Sequence, residues 1–299
     1  MTPPKNISAS VRRRLFNRSK AENRPFNELL HYYAMERFLY RLSISERARS
    51  YILKGALMLR VWNAPDIRPT MDIDMLGRER GEGEEIASQI REILELEVDS
   101  DGLRFDPESI RTERILENAD YQGVRVRFNA LLENARINMR LDIGFGDIVY
   151  PKPEKAELPC ILDSPVPSLL CYSRESVVAE KFEAMIKLGR LNSRMKDFYD
   201  IWLLSTNFDF ELAALSEAIK LTFKRRGAEL IEPIDAFSID FISSRQSMWS
   251  AFRKRLNRVR VPETFQEAAT KIEVFLRPTI KGAPGAAVWL SESGSWFWP

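Results

Sequence analysis

The chain has 299 residues, a formal net charge of +2 and 44% hydrophobic residues, a composition typical of a folded protein with a sizeable core. It contains one histidine, His31, and two cysteines, Cys160 and Cys171. A zinc site needs about four Cys or His ligands and a Ser-His-Asp triad needs a free histidine, so both chemistries are nearly excluded. Any catalysis must therefore use carboxylates, Lys, Arg and backbone amides.

The same features favour the cytoplasm. Two cysteines are too few for the disulfide framework of a small secreted domain. Residues 1–20 lack the apolar core of a signal peptide, and no apolar stretch approaches the roughly 20 residues needed to cross a bilayer. We expect a cytoplasmic protein that does not associate with a membrane.

The near-neutral total conceals three segments of unequal charge. Residues 1–24 carry seven basic residues against one acidic, and residues 220–260 carry ten basic against four acidic. Between them, residues 79–120 carry fourteen acidic residues against five arginines. Charged runs are usually solvated helix faces, but basic runs also suit an anionic partner such as RNA.

Hydrophobic periodicity predicts a helical leader followed by an α/β core. Apolar residues recur at helical spacing over residues 26–42. Strands are predicted over residues 51–53, 71–76, 124–128 and 137–143, and helices over residues 56–62 and 84–96.

The second half of the chain is predicted to be mainly helical. Five prolines between residues 151 and 167 indicate a connection between domains. Helices are predicted over residues 175–188, 196–204, 210–224, 246–256 and 264–276. The tail, residues 282–299, contains Trp289, Trp296 and Trp298 without a clear period, which is compatible with packing onto the body or with disorder.

These patterns divide the chain into five parts. They are a helical leader (residues 1–50), an α/β core (51–150), a Pro-rich connection (151–167), a helical C-terminal domain (168–280) and an aromatic tail (281–299). The predicted fold class is α+β with an α/β core.

Three aspartates in two predicted strands are the strongest chemical signal. Asp72 and Asp74 share one face of a strand because side chains alternate, whereas Met71 is expected to face the core. Two like charges this close are unfavourable without a cation, and Mg²⁺ suits paired carboxylates together with phosphates. If the second strand is a neighbour, Asp142 would complete the metal site and act on an attacking hydroxyl.

A glycine turn precedes these carboxylates. Lys54, Gly55 and Ala56 form a strand end, a turn and a helix start, which presents backbone N–H groups to a phosphate. Arg68 and Thr70 would contact the same triphosphate. The alternative for Gly55 is an ordinary tight turn.

Two later helices carry further candidates. Lys181 falls on or beside the apolar stripe of its helix, so it either extends to water or points into a cleft where it meets phosphate. Asp197 and Asp200 lie one turn apart near the start of the next helix. They either cap that helix and pair with Arg194 or Lys196, or serve the site, and the pattern does not choose between the two aspartates.

Together these motifs resemble the polymerase-β-like nucleotidyltransferases, in the version found in the AbiEii/AbiGii toxin family. Residues 54–59 and 68–74 are similar to the first motif of the superfamily. Residues 33–42 also resemble the family, residues 175–182 resemble its lysine-bearing helix, and residues 194–200 resemble its Arg-x-Lys-Asp-x-x-Asp motif. Gly55 is followed by Ala56 where the superfamily usually has Gly or Ser, which we interpret as a subfamily variation.

The resemblance implies a nucleotidyltransferase domain with a short mixed sheet flanked by helices, followed by a mainly helical domain. It implies a toxin of a toxin–antitoxin or phage-defence pair that uses one or two Mg²⁺ ions and an NTP. The catalytic candidates are Asp72, Asp74, Asp142, Lys181, Asp197 and Asp200, of which Asp72, Asp74 and Asp142 are the metal ligands. The nucleotide-binding candidates are Lys54, Gly55, Ala56, Arg68, Thr70 and Lys181.

The acceptor is the open question. Some relatives add nucleotides to tRNA, and the basic segments suit an RNA backbone, so an RNA acceptor is the first hypothesis. Transfer to a small molecule or to a protein hydroxyl is the second. A catalytically silent protein that binds a nucleotide or a cognate antitoxin is the third, and the complete set of carboxylates argues against it.

Overall fold

A computed structural model describes residues 6–65, 67–118, 121–256, 260–281 and 286–299. Small parts of the charged segments, namely residues 1–5, 119–120 and 257–259, lie outside the described residues, as do residues 282–285 of the aromatic tail. The chain forms two compact units. Unit 1 comprises the described residues of 1–62, 69–146 and 154–171, and unit 2 those of 63–68, 147–153 and 172–299.

Unit 1 contains a seven-stranded mixed sheet. Its helices and strands are α1 (Ile7–Ala21), α2 (Phe26–Ile44), β1 (Tyr51–Lys54), α3 (Met58–Val61), β2 (Ile73–Gly77), α4 (Gly83–Leu94), β3 (Leu103–Asn118), β4 (Tyr121–Leu132), β5 (Ala135–Phe145), β6 (Glu154–Glu157) and β7 (Ser168–Cys171). The strand order is β3-β4-β5-β2-β1-β7-β6. The pairs β2–β5 and β1–β7 are parallel and the other pairs are antiparallel. The predicted mixed sheet with flanking helices is confirmed.

Alternation along β4 gives the sheet of unit 1 one apolar and one charged face. Val126 and Phe128 are buried, whereas Arg125 and Arg127, at the intervening positions, point to the other face. The ring of Phe38 in α2 packs 5.3 Å from that of Phe128. Helix α2 therefore covers the apolar face, and the opposite face is left for charged groups.

Unit 2 is mainly helical, as expected. Its elements are α5 (Arg174–Leu188), α6 (Met195–Asn207), β8 (Phe210–Glu211), α7 (Leu212–Arg226), α8 (Ile239–Leu256), α9 (Phe265–Ile280), β9 (Val288–Leu290) and β10 (Ser295–Phe297). Helix α5 packs on α7, and α6 packs on α9. Within the described residues of both units, every helix is too short or too polar to cross a membrane.

The structure differs from the expected elements at several points. Strand β3 was not predicted, and the predicted helical leader contains a separate first helix, α1, that was not located. Strand β3 lies at the edge of the sheet, charged residues occupy both of its faces, and Pro107 interrupts its pattern. The strand therefore forms because it pairs with β4, and not because apolar and polar residues alternate in its own sequence. The predicted Pro-rich connection contains β6. Strand β2 begins at Ile73, so Asp72 immediately precedes it, and Met71 is exposed rather than in the core.

The described part of the aromatic tail packs onto unit 2. The side chain of Trp289 is fully buried, and its Nε1 donates a hydrogen bond of 2.7 Å to the Ser205 carbonyl oxygen. Its ring lies edge-on to Phe275, 5.0 Å between centroids, and the ring of Trp296 stacks on the same phenylalanine. Of the two arrangements compatible with the sequence, the structure adopts packing.

Replacing Trp289 with Ala is expected to lower the free energy of unfolding by about 3–5 kcal/mol, because it empties a buried aromatic site and removes a hydrogen bond. Urea unfolding would measure the change. Trp298, 47% exposed, provides the matched control, and Trp298→Ala should change stability by less than about 0.5 kcal/mol. Equal effects of the two substitutions would contradict a structural role for Trp289.

Candidate active site

A row of charged residues crosses the sheet of unit 1 on the face opposite to its apolar core. The strand register pairs Glu113 with Arg125, Arg125 with Asp142, Asp142 with Asp74, and Asp74 with Lys54. Residues paired in register share one face of a sheet. The two strands that carry the predicted carboxylates are therefore neighbours, and three of the predicted site residues lie side by side.

Gly55 allows the Asp74 carboxylate to lie against the backbone. Its φ of +73° is a conformation that glycine adopts readily and other residues rarely do. A Cβ at this position would lie 2.0 Å from Asp74 Oδ2 and 2.7 Å from Asp74 Cβ. Ala56, which stands where the superfamily usually has Gly or Ser, is buried. The turn therefore requires glycine first and accepts a small apolar residue second.

Two arginines hold Asp142. Arg125 donates from Nε and Nη2 to the two carboxylate oxygens at 2.7 and 2.9 Å. Arg140 donates to the same oxygens at 2.8 to 3.2 Å. Burial disfavours the ionised carboxylate, but these hydrogen bonds outweigh burial and lower the pKa of Asp142. Asp142 is therefore an ionised acceptor whose oxygens are engaged.

The charged face of unit 1 forms a chain of alternating charges. From the β3 edge inward, the ion pairs run Arg127–Glu113 at 2.8 Å, Glu113–Arg125 at 3.1 Å, Arg125–Asp142 at 2.7 Å, Asp142–Arg140 at 2.8 Å and Arg140–Asp72 at 3.4 Å. Arg125 and Arg140 were not among the site residues predicted from the sequence. The signal was present, since Arg140 stands two residues before Asp142 on the same face of β5.

Thr70 and Asp72 form a local turn at the entry to β2. The Thr70 hydroxyl donates to the Asp72 carbonyl oxygen at 3.3 Å and accepts a bond of 3.4 Å from the Asp72 N–H. The Thr70 N–H donates to the Tyr32 hydroxyl at 3.3 Å. This segment is thereby anchored to α2, so the chain enters β2 with Asp72 next to Asp74.

The donor chemistry of unit 1 fits a divalent cation in part. Asp72 and Asp74 supply the carboxylate oxygens that a hard cation prefers. Among the residues that the structure describes, however, no three His, Cys, Asp or Glu side chains form a ready ligand group. Asp142 could join Asp72 and Asp74 only after its arginine partners release it, so the three-ligand site stays a prediction.

Unit 2 holds the remaining candidates in one buried ion cluster. The Lys181 ammonium lies 2.8 Å from Asp197 Oδ1 and 2.8 Å from Asp200 Oδ2. Arg68 makes a two-pronged pair with Asp200 at 2.8 and 2.9 Å, and Arg194 pairs with Asp197. Both aspartates are buried. They therefore act as internal partners of Lys181 rather than as surface caps of their helix.

Electrostatics keep this cluster ionised. Burial opposes the charged form of Lys181, but Asp197 and Asp200 outweigh it and raise the pKa of the ammonium group. Burial likewise opposes the Asp200 carboxylate, but Arg68 and Lys181 lower its pKa to about 2. Lys181 remains 15% exposed and positively charged. The predicted contact of Arg68 with a triphosphate stays a prediction, because its guanidinium is bonded to Asp200.

The destabilisation caused by Asp200→Asn should depend on pH. A lowered folded-state pKa means that Asp200 contributes stability above its ordinary pKa of 3.8 and loses it as the pH falls through about 2. This contribution is about 2 kcal/mol at pH 7. Urea unfolding at pH 7 and at pH 3 should therefore show a smaller difference between wild type and variant at pH 3. An equal difference in the free energy of unfolding at both pH values would contradict the lowered pKa of Asp200.

The mixed sheet thus places the glycine turn, Asp74 and Asp142 side by side, as expected from the motifs of a nucleotidyltransferase. Residues 37–271 match the family model of the nucleotidyl transferase AbiEii toxin, of a type IV toxin–antitoxin system. The match covers most of the chain, and the protein belongs to this family. The family implies an NTP substrate, a divalent metal and an antitoxin partner.

A solved structure has a similar fold. The chain is similar to the protein JHP933 from Helicobacter pylori, with 15% sequence identity and a TM-score of 0.50, over 85% of this chain and 92% of that chain. A candidate nucleotidyltransferase from H. pylori is 15% identical with a TM-score of 0.47, over 85% and 95% of the two chains. Comparison with curated proteins gave no significant match.

Proposed function

We propose that this nucleotidyltransferase uses Mg²⁺ to transfer a nucleotide from an NTP to an RNA acceptor, with tRNA as the first candidate. The observation that carries the proposal is the placement of Asp74 between the Gly55 turn and Asp142. This arrangement brings carboxylate oxygens next to the glycine turn that we propose as the phosphate site. Family membership supplies the reaction class, and the charged face supports the metal and the anionic acceptor.

Asp72, Asp74 and Asp142 would hold the metal, Asp142 after release from its arginine partners. When bound, Mg²⁺ would neutralise the triphosphate and stabilise charge on the entering and leaving oxygens. The turn would bind the phosphate, because the backbone N–H groups of Gly55 and Ala56 favour a negative charge. Lys54, in register with Asp74, adds a positive charge at the same end of β1.

In the proposed reaction the acceptor hydroxyl oxygen bonds to the α-phosphorus, and the bond from the α-phosphorus to the bridging oxygen breaks. Pyrophosphate leaves, and the hydroxyl proton passes to a carboxylate or to water. The low pKa of Asp142 makes it a weak proton acceptor. We therefore assign Asp142 to the metal site, as a ligand beside Asp74 once its arginine partners release it, in preference to the general-base role expected from the sequence.

Within unit 2, Lys181 is the proposed phosphate contact. The ammonium is charged and retains some exposure, and Asp197 and Asp200 hold it in place with bonds of 2.8 Å. Both aspartates act through Lys181, so they are positioning residues in this proposal. Both aspartates pair with the ammonium, so the proposal gives the same role to each.

An RNA acceptor is favoured by the arginines of the charged face. Arg127 is 54% exposed and Arg140 is 37% exposed, and Arg140 contacts Asp72 directly. Lys and Arg that neutralise phosphates supply most of the affinity for a nucleic-acid backbone. The basic run at residues 220–260 contributes less than its charge indicates, because Arg226 is enclosed by carboxylates. Its partners are Asp147 at 3.0 Å, Glu183 at 2.9 Å and Glu180 at 3.5 Å.

Labelling identifies the acceptor. The protein is incubated with Mg²⁺, each α-³²P-labelled NTP in turn and total RNA, and the products are separated by size with and without ribonuclease treatment. The proposal predicts ribonuclease-sensitive label in RNA of tRNA length. Label in the protein or in a small molecule would favour the second hypothesis, and absence of label with retained nucleotide binding would favour a silent binding protein.

A further inference from the structure

Arg140 lies between two carboxylates of the charged face. Its Nε is 3.4 Å from Asp72 Oδ1, and its Nη2 is 2.8 Å from Asp142 Oδ2. One guanidinium therefore joins the carboxylate before β2 to the carboxylate on β5. These are two of the oxygens that the proposed metal would need, so a protein cation and a metal cation have the same ligands.

The two arginines on Asp142 differ in how they are held. Arg125 binds both oxygens of Asp142 and is itself paired with Glu113 at 3.1 Å. Arg140 stands on the same strand as Asp142 and is 37% exposed, against 22% for Arg125. Arg140 can therefore turn towards solvent without leaving a buried cavity, while Arg125 keeps Asp142 in place.

We propose that Arg140 is an internal counter-cation of the Asp72–Asp142 pair and competes with the divalent metal for these oxygens. This inference rests on the proposed metal role of Asp72 and Asp142. When the metal binds, the guanidinium leaves the pair and becomes available to an anionic substrate. Arg140 thus keeps the carboxylates together and limits metal binding.

Electrostatics determine the direction of the effect. A positive side chain at this position removes part of the repulsion between the two carboxylates, which is the repulsion that a metal would otherwise relieve. It also has to be displaced before the metal can use the same oxygens. Removing the positive charge of Arg140 therefore strengthens metal binding for both reasons. Removing a positive charge elsewhere on the sheet does not.

Mn²⁺ binding to the full-length protein, measured by titration calorimetry without nucleotide, tests the proposal. Arg140→Gln should lower the dissociation constant for Mn²⁺ roughly fivefold or more, the effect of one unit charge about 4 Å away in water. Arg140→Lys, which keeps the charge, should remain much closer to wild type. Arg127→Gln is the matched control, since Arg127 is the register partner of Arg140 on β4 and pairs with Glu113, and its Mn²⁺ affinity should be unchanged.

Thermal unfolding provides a second readout that does not depend on activity. Mn²⁺ should raise the melting temperature of Arg140→Gln more than that of wild type, because tighter binding to the folded state stabilises it further. Equal or weaker Mn²⁺ binding by Arg140→Gln, or an equal gain in Arg127→Gln, would overturn the role of Arg140 while leaving the proposed function intact. Failure of wild type itself to bind Mn²⁺ would overturn the metal role of Asp72 and Asp142, and this inference with it.

Discussion

Replacing Asp74 with Asn is expected to reduce NTP-dependent nucleotide transfer by about three orders of magnitude. A carboxylate that holds a catalytic metal supports several kcal/mol of transition-state stabilisation, and each 1.36 kcal/mol corresponds to about tenfold in rate. Asn keeps the size of the side chain, so the turn at Gly55 still accommodates it. The measurement is the initial rate of α-³²P transfer with equal amounts of folded protein.

Glu113→Gln provides the matched control for Asp74→Asn. Glu113 lies in the same row of the sheet, three strands away, and its neighbours are arginines rather than the glycine turn. This variant should retain activity within a factor of about three. Glu113 lies on the edge strand β3, and Arg125 keeps its bonds to Asp142 without it. Loss of activity in both variants, or in neither, would show that the carboxylate at position 74 has no special role.

Replacing Gly55 with Ala is expected to reduce transfer roughly a hundredfold or more and to destabilise the fold by about 1–3 kcal/mol. The positive φ is unfavourable for alanine, and the added methyl would lie 2.0 Å from Asp74 Oδ2. The carboxylate must therefore move, and a displacement of about 1 Å at a catalytic group costs about a hundredfold in rate. Activity and urea unfolding measured on the same preparation separate the two effects.

Gly227→Ala is the control that has the backbone strain without the steric clash. Gly227 ends helix α7 with a φ of +62°, and no atom of the described chain lies within 4 Å of the Cβ it would gain. The variant should lose about 1 kcal/mol of stability from the same backbone strain and keep its activity. Equal loss of activity in the two glycine variants would contradict the close approach between Gly55 and Asp74.

Local patterns were sufficient for most of the helices and for the carboxylate-bearing strands. Strands β2 and β5 are visible in the sequence because buried residues alternate with Asp74 and Asp142. Strand β3 is not visible, because an edge strand paired mainly to one neighbour needs little apolar alternation of its own. The Gly55 turn is visible because a strand, a glycine and a short helix follow one another directly.

The long-range ion pairs could not be predicted from the sequence. Arg68 and Asp200 are 132 positions apart, so the pairing of Asp200 depends on the fold of unit 2 and not on local spacing. The contact of Arg125 with Asp142 depends on the register between β4 and β5, and a shift of one residue would move Arg125 to the other face. The carboxylates were therefore predicted as residues, whereas distant cationic partners such as Arg68 and Arg125 became visible only in the structure.

Position-specific labelling of the nucleotide tests nucleotidyl transfer at the Asp72–Asp74 site most directly. The protein and its Asp74→Asn variant are incubated with Mg²⁺, total RNA and either α-³²P- or γ-³²P-labelled NTP. In the wild type, label from the α-position should enter the acceptor and label from the γ-position should appear in pyrophosphate, with neither product formed by the variant. Transfer of γ-label to the acceptor would contradict nucleotidyl transfer, and equal transfer of α-label by both proteins would contradict a role for Asp74.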